Sequence, residues 1–89
     1  MPTIHLTRHL RRVAPDRPIA VQAETLGAAL DAYFAAVPKA RSYVLDDQGR
    51  LRRHVAVFID GELLADKGNL TLPVTAATEI YVMQALSGG

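Results

Sequence analysis

Cysteine is absent from this 89-residue sequence, which excludes disulfides, thiolate metal sites and thiol nucleophiles together. Tryptophan is absent as well, and three tyrosines and two phenylalanines make up the aromatics. Charge of one sign is also lacking. Ten Lys and Arg stand against nine Asp and Glu, and a net charge of +1 gives no general electrostatic case for nucleic acid or an anionic membrane. No apolar run approaches the roughly 20 residues of a membrane-spanning helix. The opening "MPTIHLTRHLRR" carries its basic residues after its apolar ones, unlike a secretory signal. A glycine-rich phosphate loop ending in GKS or GKT is missing too, so ATP is not expected to bind by that device. These absences lead to an expected cytoplasmic protein with no bound cofactor, no metal, no nucleic acid and no membrane among its partners.

What is present suffices for one core. Hydrophobic residues make up 49% of the chain, enough for a single compact domain and too short a chain for two. In "TIHLTRHL", Ile4 and Leu6 alternate with Thr3, His5 and Thr7, the period of a half-buried strand. "RRVAPDRP" turns the chain, and "IAVQAE" resumes the alternation with Ile19, Val21 and Ala23 on one face. The two segments read as a hairpin with a loose loop.

The period changes at Thr25, a candidate N-cap. Leu26, Leu30, Tyr33, Phe34 and Val37 then fall on one stripe of a helix that Pro38 cannot continue far. The next stretch, "KARSYVLDDQGR", reads as irregular, with a turn at Asp47 to Gly49 and with Tyr43, Val44 and Leu45 tucked under the core. "LRRHVAVFID" reads as the strongest strand, closed by Asp60-Gly61, a dipeptide suited to a two-residue hairpin turn into a brief "ELL" strand. A loop leads to the last strand, "EIYVMQAL". Strands at both ends with one amphipathic helix between them predict an α+β roll, a mixed sheet covered on one face by one main helix. Pairing of the last strand beside the first would make both central and leave the other face of the sheet open to solvent.

The order of elements, "ETLGAAL" at the helix start, "LRRHVAVFIDGE" at the central hairpin and the terminal "SGG" resemble the ThiS/MoaD family of ubiquitin-like β-grasp sulfur carriers, over nearly the whole chain. The stretch "LDDQGRLRRHVAVFIDGE" looks most like the branch of cysteine-biosynthesis and general sulfur carriers. Relatives often have a Gly-containing acidic turn before the last strand, where this chain has "TAATE" at Thr75 to Glu79. The resemblance implies a β-grasp domain over residues 1–86 and a flexible Gly-Gly tail over 87–89. It implies a carrier, not an enzyme. The Gly89 carboxylate would be adenylated with ATP on a separate ubiquitin-activating-type enzyme, and a sulfur donor would convert it to a thiocarboxylate. A sulfur-accepting synthase would then use that sulfur to make cysteine, thiamine, molybdopterin or another sulfur-containing metabolite. Alternatives within the resemblance are the small subunit of a molybdopterin synthase and a ubiquitin-like modifier conjugated through Gly89.

The residues support parts of this independently. A carboxylate that must reach a site inside another protein benefits from a slim approach, and Ser87 and Gly88 supply one because they carry little or no side chain. With Ile80 and Val82 toward the helix and Val55, Val57 and Ile59 in the core, strand alternation sends Phe58, Tyr81 and Met83 to the open face. Aromatic and Met groups there suit partner docking. His5 and His9, four apart, would share one side of a strand, but no carboxylate or thiolate cluster completes a metal site. Arg8, Arg11 and Arg12, with Arg50, Arg52 and Arg53, form two basic runs. They would steer an acidic partner if they met at one end of the sheet, and otherwise form a solvated face. Asp46 and Asp47 fall in a turn without a base or nucleophile beside them.

Overall fold

The computed structural model describes residues 1–6 and 17–84, excluding the side chain of Gln84. Along the described residues the elements are β1 (Thr3–Leu6), β2 (Ile19–Ala20), α1 (Leu26–Ala36), α2 (Pro38–Val44), β3 (Val55–Ile59), β4 (Glu62–Leu63) and β5 (Glu79–Gln84). The strands form one mixed sheet in the order β2-β1-β5-β3-β4. β1 runs parallel to β5 with Ile4 opposite Ile80 and Leu6 opposite Val82, and β3 runs antiparallel to β5 with Val57 opposite Val82. The first and last strands are thus neighbours at the centre, and the fold is the expected ubiquitin-like β-grasp.

The start of α1 is fixed by satisfying its unpaired amides. Thr25 has extended backbone (φ −133°, ψ 160°) and its Oγ1 accepts from the Ala28 N–H at 3.2 Å. The Leu26 N–H donates to the Leu72 carbonyl at 2.9 Å, and the Gly27 N–H to the Leu70 carbonyl at 2.8 Å. Glycine at 27 suits this close approach, because a Cβ there would stand 3.0 Å from the Leu70 carbonyl oxygen and 3.2 Å from the Leu70 Cβ, so the neighbour would have to give by a few tenths of an ångström. The helix buries Leu26, Ala29, Leu30, Tyr33 and Phe34. They join Ile4, Val21, Val44, Val55, Val57, Ile80 and Val82 in one core between helix and sheet. Tyr33 meets Phe34 edge-on at 5.8 Å, and burial pushes its phenol pKa up. Val37, placed on the helical stripe from its spacing, instead caps the helix and is half-buried.

The segment after α1 differs from its sequence reading. Pro38 does end α1, but it also starts α2 as its first residue, so the stretch read as irregular is helical as far as Val44. Proline is tolerated at a first helical position because its missing N–H would have had no partner there. Val44 and Leu45 are buried as expected, whereas Tyr43 is 47% exposed on the outer side of this short helix. The predicted strand over 51–60 is shorter, too. It begins at Val55, and Leu51 makes only an isolated bridge to Leu45. Likewise only Ile19 and Ala20 of "IAVQAE" pair as strand, although Val21 remains buried.

Side chains set the turns. The Asp46 carboxylate accepts from the N–H groups of Gln48 (2.8 Å) and Arg50 (3.0 Å), and these bonds, led by the one from Arg50, hold its pKa below the usual carboxylate range. Asp60 and Gly61 both have positive φ (49° and 88°), the signature of a type I′ hairpin turn. Asp60 also ties that turn to β5: its Oδ1 accepts from the Glu79 N–H, and its own N–H donates to the Glu79 carbonyl, each at 2.9 Å. Before β5, the Thr78 hydroxyl accepts from the Thr75 N–H at 2.9 Å, and the Thr75 hydroxyl accepts from the Ala77 N–H at 3.2 Å. Threonine hydroxyls thereby close this turn at negative φ, and no glycine is required in "TAATE".

Candidate functional site

One face of the sheet is covered by α1, and strand alternation leaves a second set of side chains on the opposite face. The register decides which of them touch. Tyr81 pairs with His5 on one side and Phe58 on the other, and Phe58 in turn pairs with Leu63. His5, Tyr81, Phe58 and Leu63 therefore form one row across four strands. Met83, opposite Ala56, extends the row along β5. Phe58 and Met83 are half-buried, Tyr81 is 38% exposed and Leu63 59% exposed. The three residues assigned to the open face from sequence, Phe58, Tyr81 and Met83, are thus brought together on it.

His5 and Leu63 belong to the same surface, and neither was assigned to it from sequence. The His5 ring is stacked on Tyr81, with centroids 4.1 Å apart and planes 9° from parallel. Its Nε2 lies 2.6 Å from the Glu79 Oε1. Glu79 thereby holds the imidazole flat, and the stack supports Tyr81 from one side. Two signals could have found these residues. If Ile4 and Leu6 face the core, His5 must face away. A two-residue turn at Asp60-Gly61 forces Ile59 opposite Glu62, and therefore Phe58 opposite Leu63.

The tail residues Ser87, Gly88 and Gly89 lie outside the described residues, as do His9, Arg8, Arg11 and Arg12. The described chain ends at Gln84, which pairs with Val55 at the end of the central strand. Among the described residues there is no group of three or more His, Asp or Glu side chains arranged to hold a metal ion. Asp46 is occupied with its own turn. The geometry offers a surface for docking and a strand leading out beside it.

Comparison with protein-family models and with curated proteins gives no match. Comparison with solved structures does. SAMP1 of Haloferax volcanii, a small archaeal modifier protein, is 33% identical to this chain, covers 99% of it over 98% of its own length, and superposes with a TM-score of 0.83. The chain belongs to the ThiS/MoaD family of ubiquitin-like β-grasp proteins. Two further structures share the ThiS/MoaD fold at lower identity. CysO of Amycolatopsis orientalis, seen in a complex with BexX, has 17% identity and a TM-score of 0.84, with both chains covered over 100%. CysO of Mycobacterium tuberculosis has 19% identity and a TM-score of 0.82 over 97% of this chain and 100% of its own. SAMP1 is named as a modifier protein, while the CysO structures bear on the fold alone. No helix among the described residues is long and apolar enough to cross a membrane.

Proposed function

We propose that this chain is a sulfur carrier. Residues 1–86 form the carrier domain, and residues 87–89 present the Gly89 carboxylate to a separate adenylating enzyme. The observation that carries the reading is the position of β5, a central strand of a β-grasp sheet whose continuation is Ala85-Leu86-Ser87-Gly88-Gly89. Adenylation joins the Gly89 carboxylate to the AMP portion of ATP with release of pyrophosphate. This turns a poor leaving oxygen into a good one. A sulfur nucleophile then forms a C–S bond as the C–O bond to AMP breaks, and the resulting thiocarboxylate passes its sulfur to an acceptor synthase.

The chain's own part is to bind and to reach. Five residues beyond Gln84 span at most about 17 Å. The partner's adenylation site must therefore open within that distance of the end of β5, which favours docking through a surface next to that strand. The row His5, Tyr81, Phe58 and Leu63, with Met83 beside it, crosses β5 and meets that requirement. Gly88 and Gly89 bring no Cβ into the channel.

A second reading shares the activation step. The 33% identity to a protein named as a modifier favours conjugation of Gly89 to lysines of other proteins. Intact mass spectrometry of the chain from its native host separates the two. Replacement of one oxygen of Gly89 by sulfur is expected for the carrier, and lysine-linked adducts for the modifier. Wild-type function in cells carrying a chain without Gly89 would remove both readings.

A further inference from the structure

The near-zero net charge conceals an asymmetry between the two ends of the sheet. β5 finishes at Gln84 opposite Val55, and the residues just before Val55, Arg53 and His54, are exposed. Lys67 closes the corner, its Nζ donating to the carbonyls of Arg52 (3.1 Å) and Arg53 (3.0 Å). The Arg52 Nε donates to the Ser42 carbonyl at 2.8 Å, so the backbone that carries Arg53 and His54 is held from two directions. Asp66 also lies in this corner, with its Oδ1 taken by the Gly68 N–H at 3.0 Å. At the opposite end, where β3 turns into β4 and β5 begins, stand Asp60, Glu62 and Glu79.

We propose that the basic end of the sheet, with Arg53 as its exposed guanidinium and Arg52 and Lys67 beside it, is a contact surface for an acidic patch on the adenylating enzyme, at the mouth of the site that receives the tail. This rests on the carrier reading above and adds the chemistry of the partner surface. The end that must approach the enzyme is the end that carries the cations, and the acidic end points away. Guanidinium groups pair with carboxylates through two parallel hydrogen bonds. Exposed charges at the rim of an interface act mainly by speeding encounter, an effect that salt screens. Anchoring of the Arg52–His54 backbone by Lys67 and Arg52 lowers the ordering cost of that contact.

The test uses the full chain and the ubiquitin-activating-type enzyme of its host, with chain-dependent ATP–pyrophosphate exchange as readout. Arg53→Glu is expected to raise the chain concentration for half-maximal exchange about fivefold at ~0.05 M salt, with the maximal rate within about twofold of wild type. The difference should shrink below about twofold at ~0.5 M salt. Glu62→Arg, at the far end, should change neither quantity. Should Arg53→Glu unfold on a circular-dichroism melt, Arg53→Gln, which only removes charge, is expected to show the same salt-dependent weakening to a smaller degree. Half-saturation equal to wild type at low salt, or a defect that persists at high salt, overturns the proposal and leaves the carrier reading standing. Absence of exchange with the wild-type chain overturns the carrier reading, and the proposal falls with it.

Discussion

His5 lies flat against Tyr81, ring on ring at 4.1 Å, and its Nε2 is fixed 2.6 Å from the Glu79 carboxylate. Residues 6–80 separate the two rings in sequence, and the parallel pairing of β1 with β5 makes them neighbours. The stack sits on the face of the sheet that α1 leaves uncovered. Replacing His5 with Ala is expected to cost about 0.5–1.5 kcal/mol through the lost ring contact, measured by urea unfolding. Tyr81→Ala should cost a similar amount, and the double variant less than the sum, because both remove the same contact.

Ile80 and Tyr81 are adjacent in β5 but face opposite ways, and their variants should separate folding from docking. Ile80 is fully buried among the core residues, so Ile80→Ala is expected to destabilise the domain by about 2–5 kcal/mol. Phe58→Glu, on the open face with Tyr81, should leave a folded domain while weakening adenylation about tenfold or more, as expected for an aromatic anchor of an interface. Unchanged exchange kinetics in Phe58→Glu would remove the open face from the docking surface.

The entry into α1 makes a separate prediction. Thr25→Ala removes the acceptor for the Ala28 N–H and should cost about 1 kcal/mol in denaturant unfolding. Gly27→Ala would improve helix propensity elsewhere, but here its Cβ meets the Leu70 carbonyl at 3.0 Å. It should destabilise the domain, and amide exchange should quicken in the 70–72 segment that caps the helix.

Asp46 supplies a pH dependence with a definite sign. Its folded-state pKa is lowered by the backbone N–H of Arg50 and then that of Gln48. A lowered carboxylate pKa stabilises the fold above the unfolded value, and that contribution is lost as pH falls through the folded one. The stability gap between wild type and Asp46→Asn should therefore be constant near neutrality and close as pH drops below about 4. A gap that stays constant in acid would show that the Asp46 charge has no part in holding the turn.

Much of the fold was legible because local signals and the global fold agree. Thr25 before an apolar stripe marks the N-terminus of a helix, and Asp60-Gly61 between apolar alternations marks a hairpin. Both follow from backbone hydrogen bonding and allowed dihedrals within a few residues. α2 was missed because Pro38 signals both the end of one helix and the start of another, and only the burial of Ala40 and Val44 against the core favours the second. The strand over 51–60 was read too long because the bridge of Leu51 to Leu45 depends on where α2 ends.

By itself, the sequence determined the alternation of β5, hence that Tyr81 and Met83 would share a face, and it determined the run "ALSGG" that follows. Side-chain periodicity is a property of the strand alone. Only the tertiary structure decided what stands beside that face: His5 stacked on Tyr81, Leu63 completing the row, and Arg53 near the end where β5 finishes at Gln84. Those relationships depend on strand order and register. Register is set by the burial of one whole face at once, so it cannot be read from any single segment.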